Sequence, residues 1–109
     1  MNLSVDLTAK RLDLLHELVQ TASVIALLVN PTNQASELMA RAFEDAAGSL
    51  GLSRHLFRAA TPSEIDAAFA AVGKLRAGAL VLGGDPVFTN QRARIVALAA
   101  RYAVPASYE

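Results

Sequence analysis

Three short runs, each closing on small or polar residues and each leading into a stretch of helical periodicity, constrain this chain most. They are Val24-Ile-Ala-Leu-Leu-Val29 before Asn30-Pro-Thr-Asn33, Arg54-His-Leu-Phe-Arg-Ala-Ala60 before Thr61-Pro-Ser-Glu64, and Ala79-Leu-Val-Leu82 before Gly83-Gly-Asp-Pro86. This is the alternation of βαβ units in an open parallel sheet. In such sheets ligands bind beyond the carboxyl ends of the strands. The loops Asn30–Asn33 and Gly83–Phe88 are therefore the candidate site.

Reading along the chain, Leu12, Leu15, Leu18 and Val19 recur at three- and four-residue steps and predict a first helix over Ala9–Val19, capped by Asp6 or Thr8. Val24–Val29 is apolar without alternation, which suits a central strand covered on both faces. A second helix is expected from Ala35 to Leu50, burying Leu38, Met39, Ala42, Phe43 and Ala46 and stopped by Gly51. The run Ser53–Arg58 mixes His55 and Arg58 among apolar positions and reads as an edge strand.

Thr61-Pro62-Ser63-Glu64 is the clearest local signal: a threonine cap, proline at the first helical position and a glutamate to close a capping box. The third helix then buries Ile65, Ala68, Phe69, Val72 and Leu75 and stops at Gly78. Ala79–Leu82 is a short buried strand, and a last helix over about Thr89–Ala103 buries Ile95, Val96, Leu98, Ala99 and Tyr102. Val104–Tyr108 starts a fourth strand. Right-handed crossovers leave few arrangements of these parts, and the commonest is a three-layer α/β/α sandwich with a four-stranded parallel sheet in the flavodoxin-like order 2-1-3-4.

At 109 residues, 53% of them hydrophobic, the chain can bury one core and not two. Ten basic residues balance ten acidic ones, so no net field favours nucleic acid or an anionic membrane. There is no cysteine, and His16 and His55 lack partners at ligand spacing, so no metal site is expected. No apolar run approaches the roughly 20 residues of a spanning helix. The sequence shows no leader pattern either, and a soluble chain is expected, although the opening Met1-Asn-Leu-Ser reads like the middle of something longer.

Asn30, Thr32 and Asn33 place two amides and a hydroxyl at the end of the first strand, beside a helix amino terminus that favours anionic groups. The same residues are those any capping turn wants. At the end of the third strand, Gly83 and Gly84 let backbone approach a ligand, and Asp85 either accepts from an ammonium or hydroxyl or simply caps a helix. Phe88 is either an aromatic wall or an anchor in the sheet. A third glycine and a Gly-Lys-Ser/Thr sequence are both missing, which argues against a nucleotide loop. Neither histidine is expected near a strand carboxyl end, so no catalytic residue is assigned. Arg92 and Arg94 are an anion site or, more simply, a solvated helix face.

Taken in order, Lys10–Leu18, Val24–Asn33, Ser63–Phe69, Asp85-Pro-Val-Phe88 with Arg92 and Arg94, and Pro105–Glu109 resemble the substrate-binding proteins of ABC-type importers, in a poorly characterised branch with a type I periplasmic-binding-protein fold. That resemblance implies a chain about three times longer, with a signal, two α/β lobes and a ligand clamped between them. Residues 1–109 would be most of the second lobe. The parent would be periplasmic or lipid-anchored outside the cytoplasm, and its partners would be the missing first lobe, a membrane permease and a small solute, amino acids being among those suggested.

The resemblance assigns lobe-two ligand contact to Asn30, Thr32, Asn33, Gly84, Asp85 and Phe88, with no cofactor and no catalysis. Relatives with a serine and a histidine after the phenylalanine differ from this chain, which has Thr89 and Asn90 there. The alternatives from other classes are the effector-binding lobe of a transcription regulator and a cytoplasmic flavodoxin-like enzyme or signalling domain. As an isolated chain the lobe is expected to form a homodimer, through the outer edge of the fourth strand or through a cleft face exposing Phe88.

Overall fold

A computed structural model describes Lys10 and residues 23–107; the expected first helix, Tyr108 and Glu109 lie outside the described residues, Lys10 excepted. The elements run β1 (Val24–Val29), α1 (Ser36–Ser49), β2 (Ser53–Arg58), α2 (Pro62–Leu75), β3 (Ala79–Leu82), α3 (Pro86–Asn90), α4 (Arg92–Arg101) and β4 (Ala106–Ser107). The four strands form one parallel sheet in the order β2-β1-β3-β4, as the crossover rule leads one to expect. Val24 pairs with Ser53, Ile25 with both Arg54 and Ala79, and Leu80 with Ala106.

Alternation along the strands divides the core between two faces. Ile25, Leu27 and Val29 pack with Met39, Phe43 and Ala47 of α1 and with Ala79 and Val81 of β3. Ala26, Leu28, Leu80 and Leu82 pack with Ile65, Phe69 and Val72 of α2 and Ile95 and Ala99 of α4. Because both faces of β1 and β3 are covered, each strand is apolar throughout, whereas the edge strand β2 keeps Ser53, Arg54 and Arg58 in water. Among the described residues no helix is long and apolar enough to cross a membrane.

Several local expectations are corrected. Leu38 and Val96, expected in buried stripes, are 47% and 46% exposed. In α1 the i, i+4, i+8 row Met39, Phe43, Ala47 faces the sheet, and in α4 the row Ile95, Ala99, so the neighbouring position turns about 100° outward. Gly51 does end α1 with a positive φ of 69°. The stop of α2 is not Gly78 but Arg76, left-handed at φ 56°, whose N–H bonds the Gly73 carbonyl at 3.1 Å.

Thr61 caps α2 as expected, its Oγ1 accepting from the Glu64 N–H at 3.2 Å. The return bond differs: the Glu64 carboxylate accepts from the N–H of Ala60, at 2.8 Å, not from that of Thr61. Instead of one helix over Thr89–Ala103 there are two, α3 and α4, meeting at Gln91. Asp85 and Pro86 repeat the cap-and-proline signal of Thr61 and Pro62, so helix begins three residues earlier than the apolar stripe indicates.

Candidate functional site

The loops after β1 and β3 leave neighbouring strands at the carboxyl edge of the sheet, where the strand order reverses. The base of the gap between them is tight. The Gly83 N–H bonds the Leu28 carbonyl at 2.9 Å, and a Cβ on Gly83 would lie 3.0 Å from the Met39 sulfur and 3.1 Å from Val29 Cγ1. A methyl there is accommodated only if the Met39 or Val29 side chain gives by a few tenths of an ångström.

In the first loop two asparagines each fold back on the backbone two residues ahead, as short amide side chains do. Asn30 Oδ1 accepts from the Thr32 N–H at 2.9 Å and from Thr32 Oγ1 at 2.8 Å. Asn33 Oδ1 accepts from the Ala35 N–H at 2.8 Å. The amide nitrogens of both asparagines are thereby aimed across the gap at Asp85. Asn30 Nδ2 donates to Asp85 Oδ2 at 2.9 Å, and Asn33 Nδ2 donates to Asp85 Oδ1 at 2.7 Å and to the Gly84 carbonyl at 3.4 Å.

The same carboxylate caps α3, Oδ2 accepting from the Val87 N–H at 2.8 Å. Asn30 is only 3% exposed and Asp85 7%. Among the described residues no buried side-chain nitrogen or oxygen lacks a hydrogen-bond partner. Burial of these polar groups is compatible with stability because every one is satisfied.

The residues expected to contact ligand thus occupy two levels. Thr32 is exposed and Asn33 and Gly84 half-buried at the rim. Asn30 and Asp85 lie beneath them, facing each other. Phe88, left open between wall and anchor, is an anchor: it is 6% exposed and packs in the core with Leu82 and Ile95, so it does not present the open apolar surface expected of it. Beside it a cavity of about 20 Å³, room for about one water, is lined by Gly84, Asp85, Thr89, Arg92 and the apolar Leu82 and Ile95.

Thr89, to which the sequence assigns no contact, and Arg92, which it offers as part of an anion site or of a solvated helix face, stand at this cavity. The signal lies in the cap at Asp85: starting helix there puts Thr89 one turn after the cap, and Arg92 follows at the start of α4. The cavity is far smaller than the roughly 300–1,000 Å³ of a formed ligand pocket. A solute on this ledge would be enclosed only by a second surface.

Two other places hold side chains with binding chemistry. Arg94 lies in an open groove of about 590 Å³ between α2 and α4, bordered by Leu98, Arg101 and Tyr102, but its guanidinium is 2.9 Å from the Asp66 carboxylate, and Arg101 lies 5.6 Å from the Tyr102 ring. His55, on β2, is within 3.5 Å of Ser53 Oγ and far in sequence from either loop. No group of three or more metal-ligating side chains stands together among the described residues.

No protein-family model matches the chain, and no curated protein does. Solved structures do. An ABC domain in complex with L-Trp from Streptococcus pneumonia superposes with a TM-score of 0.80 at 16% identity, covering 91% of this chain and 33% of that one. A ligand-free, open substrate-binding protein with adhesive properties from Clostridium difficile gives 0.78 at 18% identity, over 89% of this chain and 32% of that one. A LacI family transcriptional regulator from Bifidobacterium animalis gives 0.64 at 16% identity, over 88% and 36%. The chain spans about a third of the length of each. The shared architecture, the sheet order and this coverage agree with the resemblance read from the sequence: the chain has the fold of a single lobe of the type I periplasmic-binding-protein kind.

Proposed function

We propose that this chain is the second lobe of a solute-binding protein serving an ABC-type importer, and that it holds a small solute, without catalysis or cofactor, on the ledge formed by the loops after β1 and β3. The observation that carries the reading is the joining of two polar loops at the point where the strand order reverses, through Asn30, Asn33 and Asp85. Thr32, Asn33 and Gly84 are the direct contacts in this reading, with Asn30, Asp85 and Phe88 beneath them. The solute bridges this ledge to a first lobe, the two close about a hinge, and the closed pair docks on a membrane permease outside the cytoplasm. The tryptophan bound by the Streptococcus structure makes an amino acid the first solute to test.

The test is amide chemical-shift mapping of the chain with L-tryptophan and with a sugar panel, alongside calorimetry. Weak, millimolar-range binding with shifts confined to residues 30–34 and 83–89 supports the reading, because half of the enclosing surface is missing. Micromolar binding by a monomer, or shifts centred elsewhere, overturns it. An effector-binding lobe of a transcription regulator is the second reading, favoured by the LacI-type neighbour. A helix-turn-helix segment in the same gene would select it, and a neighbouring permease gene would select transport.

The homodimer belongs to this proposal too, through the outer edge of β4. Leu80 donates to the Pro105 carbonyl at 2.8 Å, so in this parallel register the N–H of Ser107 turns toward β3 and that of Ala106 turns outward. Ala106→Pro is therefore the variant that blocks edge pairing, and sedimentation reads it. A wild-type chain that stays monomeric at high concentration refutes the dimer, and a variant that still dimerises refutes the edge.

A further inference from the structure

We propose that Asp85 is a positioning residue: its carboxylate latches the β1–α1 loop to the β3–α3 loop and sets the spacing of the groups that meet solute, without touching solute itself. This rests on the solute-binding reading of these loops and names what one residue does within it. A carboxylate has two oxygens and about four acceptor positions. Here Asn30, Asn33 and Val87 supply three N–H donors, and the side chain is almost wholly buried.

All three of these donors are neutral amide N–H groups. The charge is held by amide dipoles, and a solute group that displaced one of them would leave a buried donor unpaired. Above the Gly83–Leu28 backbone bond, every hydrogen bond that joins the two loops among the described residues runs from Asn30 or Asn33 to Asp85 or to the Gly84 carbonyl.

The latch also reaches the backbone on its far side. Asn30 and Asn33 hold the Thr32 and Ala35 N–H groups through Oδ1, so whatever fixes their Nδ2 ends fixes that turn. Thr32 and Gly84, on opposite loops, are kept at one distance before any solute arrives. The ordering cost of two loops is thus met on folding and not on binding.

Hydrogen exchange tests the latch without a ligand. In Asp85→Asn one of the asparagine donors meets another donor, and exchange at the Thr32 and Ala35 amides should rise at least roughly tenfold, while Leu27 and Val81 in the strands stay unchanged. Should that variant fail to fold, Asn33→Ala tests the link from the other side: the Val87 amide, 54 residues away in sequence, should exchange faster by about the same factor. Effects confined to the substituted loop in the variant that folds would overturn the proposal.

A second arm uses L-tryptophan and galactose as probes. Positioning predicts that Asp85→Asn weakens both by a similar factor, whereas an Asp85 that paired with a solute ammonium would weaken tryptophan alone, which also overturns the proposal. If neither probe shifts residues 30–34 or 83–89 of the wild type, the solute-binding reading fails on that result, and the exchange arm still decides the latch.

Discussion

The loop leading into α2 and the two loops leading into α1 and α3 share one edge of the sheet, yet they satisfy their polar groups in opposite ways. The α2 loop does so within five residues: Thr61 takes the Glu64 N–H and Glu64 takes the Ala60 N–H, all in contact with water. The other two do so across the fold, between Asn30, Asn33 and Asp85, with Asn30 and Asp85 buried and Asn33 half-buried. A cap closed locally can be lost alone. A latch closed across the fold ties two loops into one body, and neither keeps its shape without the other.

Breaking each in turn measures the contrast. Asp85→Ala strands the buried Asn30 Nδ2 and removes the cap of α3, and should lower stability by about 3 kcal/mol in urea titration. A loss no greater than that from removing the Thr61 cap would erase the distinction. Gly83→Ala presses a methyl against Met39 and Val29 under the latch and should cost about 1 to 2 kcal/mol, read in the same titration.

Thr61→Ala should cost about 1 kcal/mol, the ordinary worth of an N-cap, and accelerate exchange at the Glu64 amide while leaving Thr32 and Val87 as they were. Glu64→Ala, which frees only the exposed Ala60 N–H, should cost about 0.5 kcal/mol by thermal melting. A change at Thr32 in either α2-loop variant would show that the two kinds of loop are coupled after all.

The same contrast separates what the sequence made legible from what it did not. Strand order, the α2 cap and Gly51 at the end of α1 follow from patterns within a few residues or from the handedness of crossovers. Sequence placed the two loops at the carboxyl edge of the sheet and proposed Asn30 and Asp85 as solute contacts; their bond to each other is a tertiary fact that no local pattern encodes. Phe88 was undecided for the same reason, since position 88 is core only once α3 begins at Pro86.

Leu38 and Val96 were misassigned because an apolar residue beside a helical stripe is one step, about 100°, from burial. Arg76 in a left-handed cap was invisible to a rule that looks for glycine.

The bond between Asn30 and Asp85 joins residues 55 positions apart, so it forms only after the chain has closed a long loop. β1 and α1 can come together while Asn30 still faces water, and the carboxylate arrives when β3 docks and α3 winds up behind it. The ledge therefore closes no earlier than the β1–β3 pairing beneath it, in which Ile25 meets Ala79. Substitutions in it should act on the rate of unfolding and leave refolding almost untouched. On that expectation the folding rate follows the core, and the lifetime of the folded chain follows the latch.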